Sequence, residues 1–128
     1  MSQGCVLVEL EGLRVTVDKL VYRHLAAAEK PHSFVYFITI HNDSAVGVTI
    51  RGRKWVVTHA DGTTLVVEGD GVVGQTPTIP SGGRFSYNSQ HLIDARWAVA
   101  EGAYLGLDDN GRRVLTRIPR FKMTVPVV

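Results

Sequence analysis

Hydrophobic residues alternate with polar ones, or crowd into short runs, along most of the chain. In "LRVTVD", Leu13, Val15 and Val17 alternate with Arg14, Thr16 and Asp18, the period of a half-buried strand. The stretch 33–42, "SFVYFITIHN", packs Phe34, Val35, Tyr36, Phe37, Ile38 and Ile40 together, as in a central strand covered on both faces. Asn42 and Asp43 then turn the chain. Residues 46–62 carry β-branched residues up to Asp61-Gly62, and "TTLVVEG" follows; this predicts a hairpin. "RFSYNS" puts Phe85 and Tyr87 on one face and Ser86 and Asn88 on the other. The tail predicts two strands joined at Asn110-Gly111. In the last of these Val114, Thr116 and Ile118 share a face, while Phe121, Met123 and Val125 have the opposite parity. If both sets point inward, Pro119 marks a bulge or a strand changing sheets.

One stretch reads differently. In "LVYRHLAAAEKP", Leu20, His24, Leu25 and Ala28 recur at near-helical spacing ahead of Pro31, which predicts one short helix or turn. The remainder predicts an all-β fold, an antiparallel β-sandwich of about seven strands.

Composition narrows the setting. A chain of 128 residues is expected to form a single domain, 1–128, and buries roughly 65–70% of its unfolded surface without staples. Cys5 is the sole cysteine, so no internal disulfide is expected and no zinc spacing is present. The first thirty residues lack a basic start followed by an apolar run, and no apolar stretch approaches a membrane span; a cytoplasmic protein with no membrane partner is expected. Fourteen Lys/Arg against twelve Asp/Glu leave a net charge of +2, too small to point to nucleic acid.

Within "EGDGVVGQTPTIPSG", Gly69, Gly71 and Gly74 spell G-x-G-x-x-G. A dinucleotide fingerprint needs a helix after the glycines, whereas Pro77 and Pro80 follow here. The kinase and Walker A loops fail for want of their companion motifs. Two readings stay open. The glycines can form a nest whose N–H groups, helped by Arg53, hold phosphate or pyrophosphate, or they only allow a tight crossing between sheets.

No catalytic set is predicted. His24, His32, His41, His59 and His91 show no metal-binding spacing, Ser81 and Ser89 lack a nucleophile elbow, and Asp108 and Asp109 read as turn residues. No cofactor or metal is expected, and His41 and His59 read as exposed or hydrogen-bonded. Arg51 and Arg53 share the parity of Trp55, and Arg113 and Arg117 share a face of the last strand. Each row is a solvated face or, if the rows adjoin, an anion-attracting patch with Arg stacked on Trp55. Trp97 either fills the core or anchors a partner.

Four segments in order, "FVYFITIHN", "RKWVVTHADG", "VVEGDGVVGQTPTIPSGGRFSYNS" and "GAYLGLDDNGRRVLTRIPRFKMTV", resemble the ApaG (DUF525) family over residues 33–125. The resemblance rests on Arg53 and Trp55 before Asp61-Gly62, the glycine run with Pro77, Phe85-x-Tyr87-x-Ser89, and Ile118-Pro119-x-Phe121. It implies a sandwich similar to immunoglobulin-like and fibronectin type III domains. It also implies a small cytosolic bacterial protein, often encoded beside a diadenosine tetraphosphate hydrolase, with a name linked to cobalt and magnesium efflux. Similar domains in a eukaryotic F-box protein and a DNA-polymerase-interacting protein look like interaction modules, and no enzymatic activity is attached to the family. The stretches Leu20–His32 and "HLIDARWAVAEGAY" depart from the family pattern, which implies a partner surface of its own.

The expected function is therefore a non-enzymatic module for protein–protein interaction, with a phosphate-binding glycine loop and a link to cobalt and magnesium homeostasis. Trp55 and Trp97 are the candidate contacts, and self-pairing into a homodimer through an edge strand is a further expectation. The alternative is a small phosphate-ligand binder or a hydrolase acting on nucleoside polyphosphates.

Overall fold

The structure, a computed structural model, describes residues 7–127; Cys5 lies outside them. The strands are β1 (Leu7–Glu9), β2 (Leu13–His24), β3 (His32–Asn42), β4 (Val48–His59), β5 (Thr64–Asp70), β6 (Thr78–Ile79), β7 (Arg84–Ile93), β8 (Trp97–Asp108) and β9 (Arg113–Thr124). One sheet runs β1-β9-β8-β4-β5, with β6 also paired to β4, and the other runs β2-β3-β7. Every pairing is antiparallel except β1 on β9. The all-β sandwich is as the alternation predicts. The count is higher because β1 and β6, at three and two residues, are too short to show a period.

The core lies between the sheets. Ile38 and Ile40 of β3, Ile50, Trp55 and Val57 of β4, Tyr104 of β8 and Val114 and Met123 of β9 are buried in it. Strand β3 is the centre of its sheet, but Val35 and Phe37 on its outer side are only half-buried, and Lys19 Nζ sits 5.6 Å above the Phe37 ring.

No helix forms at Leu20–Ala28. Leu20 pairs with Tyr36 and His24 with His32, and the hairpin closes where Leu25 N–H donates to Pro31 O at 2.7 Å, with Ala27 at φ 66°. A helix of this length is marginal alone, and strand β3 supplies a continuous ladder that captures the segment instead.

Two bulges set the site. At Pro119 the β8–β9 register shifts between Ala100 and Gly102, so Thr116 and Ile118 before it and Met123 after it all face the core. In β4 the register with β8 shifts between Ile50 and Gly52. Ile50 and Trp55 are both buried although their parities differ, and Arg51 is the residue inserted.

Candidate functional site

The β4 bulge sends two neighbouring arginines in opposite directions. Arg51 stands exposed on the outer face of the larger sheet. Arg53 instead runs inward under β5, and its Nη1 donates to the carbonyls of Asp70 at 3.0 Å and Gly71 at 3.1 Å. A Cβ on Gly69, its cross-strand partner, would lie 2.8 Å from that same nitrogen, so Gly69 is the space the guanidinium needs.

Beyond Arg53 lie three phenols. Tyr87 and Tyr104 share a hydroxyl–hydroxyl bond, and the Tyr36 and Tyr87 rings meet edge-on at 6.2 Å. Burial pushes the pKa of each of Tyr36, Tyr87 and Tyr104 upward, partly opposed by the Arg53 charge. All three phenols stay protonated.

The glycine loop is a turn. Val72 and Gln75 exchange backbone bonds of 2.7 and 2.9 Å, and the residues between them, Val73 and Gly74, have φ of 45° and 78°. That is a two-residue hairpin of type I′. Of the N–H groups around the nest expected at Gly69, Gly71 and Gly74, several are already engaged within the fold. Gly71 N–H donates to Arg51 O at 2.8 Å, and the N–H groups of Val72 and Gln75 serve the hairpin. The loop turns carbonyls, not donors, toward Arg53, which is the wrong polarity for an anion cradle.

What the loop borders is a cleft. About 640 Å³ of space on the outer face is lined by Leu7, Arg51, Asp70, Thr76, Leu105, Gly106, Leu107 and Arg113. An adjoining hollow of about 490 Å³ shares Arg51, Asp70 and Leu105 and reaches Glu68. Sheet pairing assembles it: Leu7, Arg113, Leu107 and Thr49 form one cross-strand row, and Leu115, Leu105, Gly52 and Asp70 the next. Leu7 and Leu105 remain 44% and 37% exposed. Ion pairs among the described residues engage Arg14, Lys54, Arg112 and Arg117, which leaves Arg51 and Arg113 with uncommitted charge there.

The two tryptophans separate. Trp55 is 1% exposed, packed against Tyr36 at 5.0 Å and edge-on to His91 at 4.6 Å. It therefore has no face for a partner and no arginine stacked on it; the bulge turned the row that parity had suggested. Trp97 opens β8 half-exposed, with Lys122 Nζ 4.7 Å over its ring.

His24 and His32 form a cross-strand pair with ring centroids 6.0 Å apart, and the other histidines are dispersed. His41 Nε2 meets Thr16 Oγ1 at 3.0 Å, His32 Nδ1 meets Tyr22 Oη at 2.7 Å, and His59 Nδ1 lies 3.1 Å from Thr63 O. Among the described residues no three His, Cys, Asp or Glu side chains converge as a metal site, and no helix is long and apolar enough to cross a membrane. Asp108 is a turn hub as expected, its carboxylate accepting from Asn110 N–H and Arg112 N–H at 2.9 Å and from Arg112 Nε at 2.7 Å. Leu7, Leu105 and Leu107 were not picked out from the sequence. The signal was there in "YLGLD", where both leucines oppose the parity of the core residue Tyr104.

The ApaG domain model matches residues 23–107. The Protein ApaG of Vibrio cholerae is 41% identical over 95 residues, covering 74% of this chain and 75% of the relative. The chain belongs to the ApaG family. The Protein ApaG of Xanthobacter autotrophicus is 38% identical over 110 residues, covering 83% and 85%. Among solved structures, the putative ApaA protein from Bordetella pertussis superposes with a TM-score of 0.75 at 25% identity, over 94% of this chain and 99% of that one. A putative late embryogenesis abundant protein superposes with a TM-score of 0.62 at 8% identity, over 89% and 71%, a likeness of fold alone. The Arg53 peg, the type I′ turn and the outer cleft thus sit on an ApaG sandwich.

Proposed function

We propose that this ApaG chain is a non-enzymatic docking module whose outer-face cleft takes an extended partner segment carrying a carboxylate beside an aliphatic side chain. The observation that carries this is the placement of uncommitted Arg51 and Arg113 around exposed Leu7 and Leu105. Exposed guanidinium–carboxylate pairs contribute only about 0–1 kcal/mol each, whereas covering an exposed leucine contributes up to roughly 1.5–3 kcal/mol. Apolar contact therefore supplies affinity and the arginines supply selectivity. Among the described residues no histidine, cysteine or serine lines the cleft, which favours binding over nucleophilic chemistry.

Selection from a displayed random-peptide library tests the reading. Enriched peptides should pair Asp or Glu with Leu, Ile or Val, and should lose at least about tenfold in affinity against Arg51→Glu/Arg113→Glu. Lys122→Glu, at Trp97, should leave binding unchanged. Peptides that bind the double variant as well as the native chain sink the proposal. Pyrophosphate is the comparison ligand: saturable amide shifts at Arg51 and Arg113 with no peptide selected would favour the small-anion alternative.

A further inference from the structure

The edges of the two sheets are protected unequally. Strand β1 is three residues long and β6 is two, set between Pro77 and Pro80. Strand β2 is bulged between Val17 and Lys19, and β7 shows Arg84, Ser86, Asn88 and Gln90 to solvent. Strand β5 has no bulge, no proline and no cation, and its polar side chains Thr64, Glu68 and Asp70 stand at its two ends. It leaves Leu65 41% and Val66 51% exposed. Such an edge is a template for another strand.

Its hydrogen-bonding phase is fixed. His59 N–H donates to Thr63 O and Gly71 N–H to Arg51 O, one bond at each end of the β4–β5 ladder. Between them Leu65, Val67 and Gly69 bond to β4, so Thr64, Val66, Glu68 and Asp70 turn N–H and C=O outward. The Asp70 carbonyl is already taken by Arg53. Thr64–Glu68 is the free run.

We propose that two copies of this chain pair antiparallel through β5, about a two-fold axis at Val66. This register sets Val66 against itself, Leu65 against the other copy's Val67, and Thr64 against the other copy's Glu68, using only the free run. A centre at Val67 would set Val66 against Glu68 and require the occupied Asp70 carbonyl. The chosen register keeps the two Glu68 carboxylates apart and covers both exposed side chains. The Arg51–Arg113 clefts, built mainly on β1, β9, β8 and β4, stay open. So short an edge falls below the roughly 1,600 Å² of a standard interface, so the dimer forms at high concentration.

Sedimentation velocity over a dilution series reaching about 1 mM should show a reversible dimer. Val66→Lys, which brings two cations together at the axis, should weaken association at least about tenfold with an unchanged circular dichroism spectrum. In a Cys5→Ser background, Val66→Cys should oxidise to a covalent dimer, because directly bonded antiparallel pairs lie about 5.5 Å apart at Cα, within disulfide reach. Val73→Cys, exposed in the turn, is the control. A monomer throughout the series, a Val66→Lys variant that dimerises like the native chain, or Val66→Cys crosslinking no faster than Val73→Cys overturns the proposal.

Discussion

Arg53 holds the end of β5 from below, its Nη1 bonded to the carbonyls of Asp70 and Gly71 and lying where a Gly69 Cβ would be, 2.8 Å away. Neither residue can change alone without affecting the other. Gly69→Ala crowds only the movable end of the guanidinium and should cost no more than about 1 kcal/mol, through the bonds that the displaced Arg53 gives up, and Arg53→Ala about 1 kcal/mol by leaving the carbonyls of Asp70 and Gly71 without their donor. In the double variant the clash is gone, so the summed loss should fall short of additive by at least about 0.5 kcal/mol. Urea denaturation of the four proteins measures the coupling; strict additivity contradicts the contact.

Val73 is a β-branched residue at φ 45°, exposed at the first position of the type I′ turn. Asn is the residue such a turn favours, because its side chain tolerates the left-handed region. Val73→Asn should therefore raise stability by about 1 kcal/mol, seen as a rise of several degrees in thermal midpoint. Gly71→Val should do the reverse, since a Cβ there meets Gln75 O at 2.3 Å. An unfolded or strongly destabilised Gly71→Val protein agrees with a packed turn, whereas a stable one that lost only phosphate binding would restore the nest.

The strand order of hydrophobicity was legible because side-chain parity is local. Pro119 was readable as a break, since Ile118 and Phe121 could not both face inward on an unbroken strand. The β4 bulge was not readable: Arg51-Gly52-Arg53 holds no proline, and the parity change shows only once Ile50 and Trp55 are both seen buried. For the same reason the sequence places Arg53 near the glycines without showing that its Nη1 donates to the carbonyls of Asp70 and Gly71. In the Leu20–Ala28 segment the turn reading holds at Ala26–Ala27 and the helix reading does not, because alanines that suit a helix also suit the turn after β2 when a neighbouring strand supplies the ladder. The cleft joins β1 to β9, β8 and β4 across about a hundred residues of sequence, and nothing local encodes such a meeting.

Asn42 reads as a turn residue in the sequence, and the structure gives it more to do. It is fully buried, its Nδ2 donating to Val46 O at 2.8 Å and Ile79 O at 2.9 Å, while its Oδ1 accepts from Ser44 N–H and Ser44 Oγ. One amide thus ties β3 to the following loop and to β6. Asn42→Ala strands several buried polar groups and should cost about 2–4 kcal/mol. Asn42→Asp should be as severe, since a carboxylate cannot donate to either carbonyl. Chemical denaturation checks both, and a loss below about 1 kcal/mol would show that water replaces the amide.

His91 gives the fold an acid-sensitive point. Its ring lies between Tyr36 at 4.8 Å and Phe121 at 6.4 Å, edge-on to Trp55, with Nε2 buried and unpartnered. Burial lowers its pKa from 6.5 to about 4. The unfolded chain therefore binds a proton at a higher pH than the folded one does. Stability from this residue is complete above about pH 6.5 and falls through the window down to about pH 4, by up to roughly 3 kcal/mol. Below that window the loss levels off. Asp18 and Asp108 act lower still: hydrogen bonds from Thr39 and Thr16 hold the first below the ordinary carboxylate range, and in the second burial is outweighed by bonds from Arg112 and Asn110. Their contribution is present above pH 3.8 and is lost beneath it. His91→Phe suits the aromatic surroundings and removes the proton, so it should keep or raise stability at neutral pH and flatten the curve between pH 6.5 and 4. Unfolding free energies across that window decide the matter; a variant whose pH profile stays parallel to the native one places the acid sensitivity elsewhere.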